Sequence, residues 1–262
     1  MFRKLTFAVF IMISLAFVQA ERYYVTFIKG TVILKKTGKP LKIGDALLST
    51  DALVFKESSG KVSCISPGKG RFDINAAKIV GGGKSELLAV LKSNLVPSTS
   101  TYRLSTRSMM FEGNDPVTYF SSLETQDRIL LIENEPFIVK PIYKLDASNF
   151  FFLQYPVNGN LTTHKIEHTD RGLLFSGKLL ATPSGPVTLC YQSDTDGKAK
   201  SSALAKFYPV LANKEEITKQ IELIKSAYGT TDKKKLKTEV TGHLFDNYGK
   251  IGGEELSRVF GI

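Results

Sequence analysis

The chain has 262 residues, no tryptophan, two cysteines and a formal charge of +10. That length suits one large domain or two ordinary ones, and two cysteines are too few for a disulfide framework. The charge is uneven, with 15 Lys or Arg against 5 Asp or Glu from Arg22 to Arg107 and 9 against 10 from Gly113 to Ala212, so the basic excess belongs to the first third.

In chain order, Arg3 and Lys4 precede an apolar run from Leu5 to Val18, and Val18-Gln19-Ala20 supplies small residues at a cleavage site. This is the pattern of a secretory signal peptide. The run is short of the roughly 20 residues of a spanning helix, which predicts cleavage after Ala20 and a periplasmic or secreted protein of 262 − 20 = 242 residues. Losing Arg3 and Lys4 takes the charge from +10 to +8. No later stretch is apolar enough to span a bilayer, so no transmembrane span is expected after cleavage. Location argues against nucleic acid as a partner. It leaves envelope proteins and anionic surfaces as partners for the basic third.

Residues 21–96 read as a small β domain with a short helix. Tyr23 to Ile28, Gly30 to Lys35, Ala46 to Phe55, Val62 to Ile65 and Gly70 to Ile74 are strand-like, and turns fall at Thr37-Gly38-Lys39-Pro40 and Ser58-Ser59-Gly60. Ser85 starts a helical period through Leu87, Leu88, Val90, Leu91 and Leu95. Residues 97–126, rich in Ser and Thr at their start, read as a linker. Residues 127–210 carry seven predicted strands: Arg128 to Glu133, Phe137 to Tyr143, Asn149 to Tyr155, Thr162 to His168, Gly172 to Leu180, Val187 to Gln192 and Ser202 to Tyr208. Seven short strands with a turn every ten residues or so suggest an immunoglobulin-like β-sandwich, without the Cys, Trp, Cys set of antibody domains.

Residues 211–262 read as helices that cap this sandwich or a partner. Asn213 and Glu216 have capping-box spacing, Ile217, Ile221, Ile224 and Tyr228 make a stripe, and Gly229 closes it. Leu236, Val240, Leu244 and Tyr248 repeat the stripe before Gly249, and Glu254 to Phe260 forms a third helix. The expected fold class is therefore mainly β with C-terminal helices.

Candidate chemistry is thin. Gly81-Gly82-Gly83-Lys84-Ser85 ends like a phosphate loop, but the position that should open the loop is Lys78, and it reads as a glycine turn. His164 and His168 on one strand face are a weak metal pair without a third ligand; His243 reads as lying on the polar side of its helix. Asp194-Thr195-Asp196-Gly197 reads as a hairpin turn rather than a calcium loop, and Asn160-Leu161-Thr162 is a formal glycosylation sequon. Cys64 and Cys190 fall in different predicted domains, so a disulfide is not expected. Phe150, Phe151 and Phe152 put rings on both faces of one strand, which calls for a cover on the outer side. No catalytic residue and no cofactor is expected.

Gly30-Thr31-Val32, Leu41 to Leu47 with Gly44-Asp45, Thr50-Asp51-Ala52-Leu53 and the alternation from Val62 to Ile65 together resemble the FecR-like domain of bacterial envelope proteins, over about residues 23–80. The resemblance implies a small extracytoplasmic β module. With cleavage after Ala20, the cytoplasmic segment and retained membrane helix of the namesake sensors are not expected in this chain, so inward signalling is not carried over. The function expected from sequence is a non-enzymatic envelope protein acting as a protein-binding adaptor or scaffold. The alternatives are a glycan or cell-wall binding module, suggested by the basic charge and aromatics, and a metal-dependent enzyme.

Overall fold

The computed structural model describes residues 21–76, 110–111, 114–121, 128–180, 185–229 and 232–262. The chain is mainly β, with a few helices near the C-terminus. It divides into two units, Met1–Pro97 with Ser226–Tyr228, and Ser98–Lys225 with Gly229–Ile262.

In the first unit, β1 (Arg22–Lys29), β4 (Ala46–Leu48), β6 (Lys61–Ser66) and β7 (Gly70–Asn75) form an antiparallel sheet of order β4-β1-β6-β7. A smaller sheet of order β3-β2-β5 is made of β2 (Val32–Leu34), β3 (Lys39–Pro40) and β5 (Leu53–Phe55). Period-two alternation turns Tyr23, Val25, Val62, Cys64, Phe72 and Ile74 into one core, joined by Val32, Leu41, Leu47 and Leu53. Fully burying an aliphatic or aromatic side chain contributes about 1.5–3 kcal/mol, so these positions hold the unit together. Two Asp residues turn the chain between strands. Asp45 accepts from the Lys42 amide at 2.8 Å, and buried Asp51 accepts from the Leu48 amide at 2.9 Å.

The second unit has a five-stranded sheet of β9 (Arg128–Ile132), β11 (Phe150–Val157), β12 (Asn160–Lys165), β15 (Val187–Thr195) and β16 (Lys198–Ala212) in the order β12-β11-β15-β16-β9. Only the β16–β9 pair in this sheet is parallel. Beside it stands a sheet of β10 (Pro136–Ile138), β13 (Glu167–His168) and β14 (Gly172–Leu174) in the order β10-β14-β13. Asn158-Gly159 and Asp196-Gly197 close two-residue hairpins, all four residues having positive φ. That is the turn whose twist matches paired strands.

Each predicted strand has a counterpart, with four corrections. The segment read as one strand from Ala46 to Phe55 is two strands in different sheets, because the Asp51 turn separates β4 from β5. The strand read from Phe137 to Tyr143 ends at Ile138, and a loop follows in which Asp146 accepts the Ser148 and Asn149 amides. The strand read from Gly172 to Leu180 ends at Leu174. The strand read from Thr162 to His168 is two strands, because buried Ile166 carries the chain from one sheet to the other.

A fifth correction concerns the predicted linker. Within residues 97–126, Pro116–Phe120 form a helix, α1, which Asp115 caps by accepting the Val117 amide at 3.0 Å, with proline at the favoured start. Its Phe120 ring lies 5.0 Å from Phe137, 4.6 Å from Phe207 and 5.9 Å from Phe175, so the segment supplies core. The short helix predicted from Ser85 lies outside the described residues.

The C-terminal helices are α2 (Lys214–Tyr228), α3 (Lys233–Asn247) and α4 (Gly253–Phe260). Asn213 caps α2 by accepting the Glu215 and Glu216 amides, and the stripes Ile217, Ile221, Ile224 and Leu236, Val240, Leu244 are buried. Between α3 and α4 runs β17 (Ile251–Gly252), paired in parallel with β8 (Met110–Phe111). Just before it, Lys250 exchanges backbone hydrogen bonds with β9 through Arg128 and Leu130. This hooks the chain onto the sheet edge and places the first turn of α4 beside α1.

Candidate functional site

The first turn of α4 carries two adjacent glutamates. Glu254 is exposed, whereas Glu255 points inward and is only 6% exposed. The Tyr119 hydroxyl of α1 donates to Glu255 Oε2 at 2.7 Å and accepts from the Gly252 amide at 3.0 Å. This relay ties α1, β17 and α4 together, and it leaves Glu255 Oε1 without a hydrogen bond from the described residues. Burial, working against the Tyr119 hydrogen bond and the nearby Arg258 guanidinium, holds the Glu255 carboxyl above the usual glutamate range. Burial and the adjoining carboxyl push the Tyr119 hydroxyl well up as well.

These residues line a cavity of about 250 Å³ whose wall comprises Asn114, Tyr119, Phe137, Ile138, Gly252, Glu254, Glu255 and Arg258. Arg258 is held at the rim by the Pro136 carbonyl, 2.6 Å from Nη2, and by Glu135, 3.9 Å from Nη1. The cavity adjoins the outer edge of β10. Antiparallel pairing alternates the direction of backbone groups, and the Val139 amide donates across to Arg171. The Pro136 carbonyl and the Lys140 amide face the other way, to Arg258 and to the Asn114 carbonyl. The peptide groups of Ile138, midway between them, therefore face the cavity.

A second surface of functional character is the β2–β3 hairpin of the first unit. Lys35, Lys36, Lys39 and Lys42 fall within eight residues that hold no acid, and all four are exposed. Lys36 reaches the buried Asp51 carboxylate at 2.8 Å. The other three project from the hairpin and the turn after it.

The residues singled out from sequence do not assemble. His164 stacks on Tyr155 at 5.3 Å between ring centres, while His168 belongs to the other sheet and lies 3.1 Å from the Thr169 carbonyl, so the expected common face does not exist. Among the described residues no group of three metal-ligating side chains occurs. Cys64 and Cys190 are free thiols, both buried, and burial pushes both thiols up. Asp196-Gly197 is a hairpin turn. Gly81 to Ser85 lies outside the described residues.

His243 is corrected: it is fully buried, its Nε2 2.7 Å from Gln220 Oε1 and its Nδ1 3.2 Å from Asn247 Nδ2, in a polar network that reaches Tyr248 and Glu216. Phe151 is interior, Phe152 is buried, and the Lys165 ammonium lies 3.9 Å over the Phe150 ring. Tyr119, Glu255 and Arg258 escape a linear reading because the tyrosine sits in a stretch resembling a linker, 136 residues from its partner. The signal that was there is Asp115-Pro116, a cap followed by a helix-starting proline.

No helix among the described residues is long and apolar enough to cross a membrane. Comparison of the chain with family models, with curated proteins and with solved structures gives no match.

Proposed function

We propose that the protein is an exported, non-enzymatic adaptor or scaffold of a cell envelope, in the periplasm or at the cell surface, built from a FecR-like module and an immunoglobulin-like sandwich. The observation that carries it is the lysine hairpin: Lys35, Lys39 and Lys42 present like charge on a short, well-anchored support. Such a patch attracts an acidic protein surface over a Debye length of about 8 Å at physiological salt.

The immunoglobulin-like reading is supported by strand order. Lettered in chain order, β9 to β16 become A′, B, C, C′, D, E, F and G, giving one sheet with C, F and G adjacent and C′ beside C, and another with B, E and D adjacent. That is the partition of strands in the immunoglobulin sandwich. The FecR-like reading is supported by the Asp45 and Asp51 turns that set Leu41, Leu47 and Leu53 into the core of the first unit.

The test is capture from cross-linked envelopes by the exported chain and by a variant with Lys35, Lys39 and Lys42 all changed to Glu. Lys36 is kept because Asp51 needs it. The expected result is a defined protein partner, recovered at low salt and reduced about ten-fold or more by the reversal. Recovery of polysaccharide alone, or capture indifferent to both salt and reversal, overturns the adaptor reading.

A further inference from the structure

We infer that the cavity between α1, β10 and α4 is a docking slot for an extended peptide segment that pairs with the free edge of β10 and inserts a lysine side chain toward Glu254 and Glu255. The inference is independent of the lysine hairpin, which belongs to the first unit.

Three observations converge on it. The β10 edge is capped at both ends and open in the middle: Arg258 takes the Pro136 carbonyl, the Asn114 carbonyl takes the Lys140 amide, and the peptide groups of Ile138 face the cavity between them. Among the described residues the Ile138 amide and carbonyl have no partner on that side, and an exposed strand edge of this kind is a template for strand addition, where main-chain bonds supply affinity and a side-chain pocket supplies specificity. Size is the second observation. A cavity of about 250 Å³ lies below the roughly 300–1,000 Å³ of small-molecule sites, and suits one side chain with its peptide unit.

Charge is the third. Two carboxylates line the slot against one guanidinium, and that guanidinium is already engaged by Glu135 and the Pro136 carbonyl. Glu255 is more than nine-tenths buried, and among the described residues its hydrogen bond is the one Oε2 takes from Tyr119, so a donor arriving through the slot would find the second carboxylate oxygen as an acceptor. The walls of Phe137 and Ile138 accept the methylene stem of a lysine while its ammonium reaches the carboxylates.

Titration calorimetry on the full exported chain tests this with blocked pentapeptides, acetyl-Ala-Ala-Lys-Ala-Ala-amide and its norleucine counterpart, and with n-butylammonium. The lysine peptide is expected to bind about ten-fold or more tightly than the norleucine peptide, and more tightly than butylammonium, which lacks a backbone. Glu255→Gln should abolish the preference for lysine over norleucine. Hydrogen exchange supplies a readout without mutation: the Ile138 amide should become protected when the lysine peptide is added. Equal binding of both peptides, no binding by either at millimolar concentration, a lysine preference that survives in Glu255→Gln, or unchanged Ile138 exchange overturns the proposal. Lysine-hairpin reversal leaves peptide binding unaltered if the two surfaces are separate functions, so failure here and failure of the adaptor reading are distinguishable.

Discussion

At Glu255 the protein holds a carboxylate where water would ordinarily solvate it. Because burial raises its folded pKa above the unfolded value, its contribution to stability is present at low pH and is lost as pH rises through the folded pKa. Glu255→Gln keeps the shape and an acceptor for Tyr119 but removes the titration. Thermal melts of the two proteins should therefore diverge in favour of the variant as pH is raised from the ordinary glutamate range toward neutrality; a constant difference would contradict the assignment. Tyr119→Phe acts differently. It strands the Gly252 amide and deprives Glu255 Oε2 of its donor, both buried, and is expected to destabilise by about 2–3 kcal/mol in denaturant titration. In the first unit, Asp51→Ala removes the acceptor shared by the Leu48 amide and Lys36, and should cost about 1–3 kcal/mol.

Among the elements, α1 is the informative one. Five residues cannot form a stable helix alone, and α1 persists because Asp115 caps it and the ring of Phe120 fills the space bounded by Phe137, Phe175 and Phe207. Phe120→Ala should leave a cavity and lower stability by about 3–5 kcal/mol, as for a fully buried aromatic. A change of under 1 kcal/mol would return the segment to the status of a linker. The turn after α3 is comparably constrained. Gly249 has φ of +120°, and a Cβ there would collide with the Arg128 carbonyl of β9. Gly249→Ala should therefore unhook Lys250 from the sheet edge and shift α4, with loss of protection at the Leu130 amide in hydrogen exchange.

For the whole molecule, the export reading makes one mass-spectrometric demand: the chain recovered from the extracytoplasmic fraction should begin at Glu21. Recovery of a chain retaining Met1 in the membrane would reverse it. Mature composition then leaves a basic first unit and a near-neutral second one, consistent with separate partners for the lysine hairpin and the slot beside β10.

Local pattern alone determined where most strands lie, the two glycine hairpins and the buried stripes of α2 and α3. Period, turn chemistry and capping act over a few residues, so they are readable along the chain. Asn158-Gly159, Asp196-Gly197 and Asn213 each behave as their neighbours dictate. Tertiary structure decided the rest. The break at Ile166 depends on two sheets competing for adjacent residues, and the burial of His243 depends on Gln220 across a helix pair. The Tyr119–Glu255 relay joins residues that no local propensity connects. A buried polar contact of that kind is specified by which surfaces meet. Its members are therefore ordinary in sequence and become a site only when β17 sets α4 against α1.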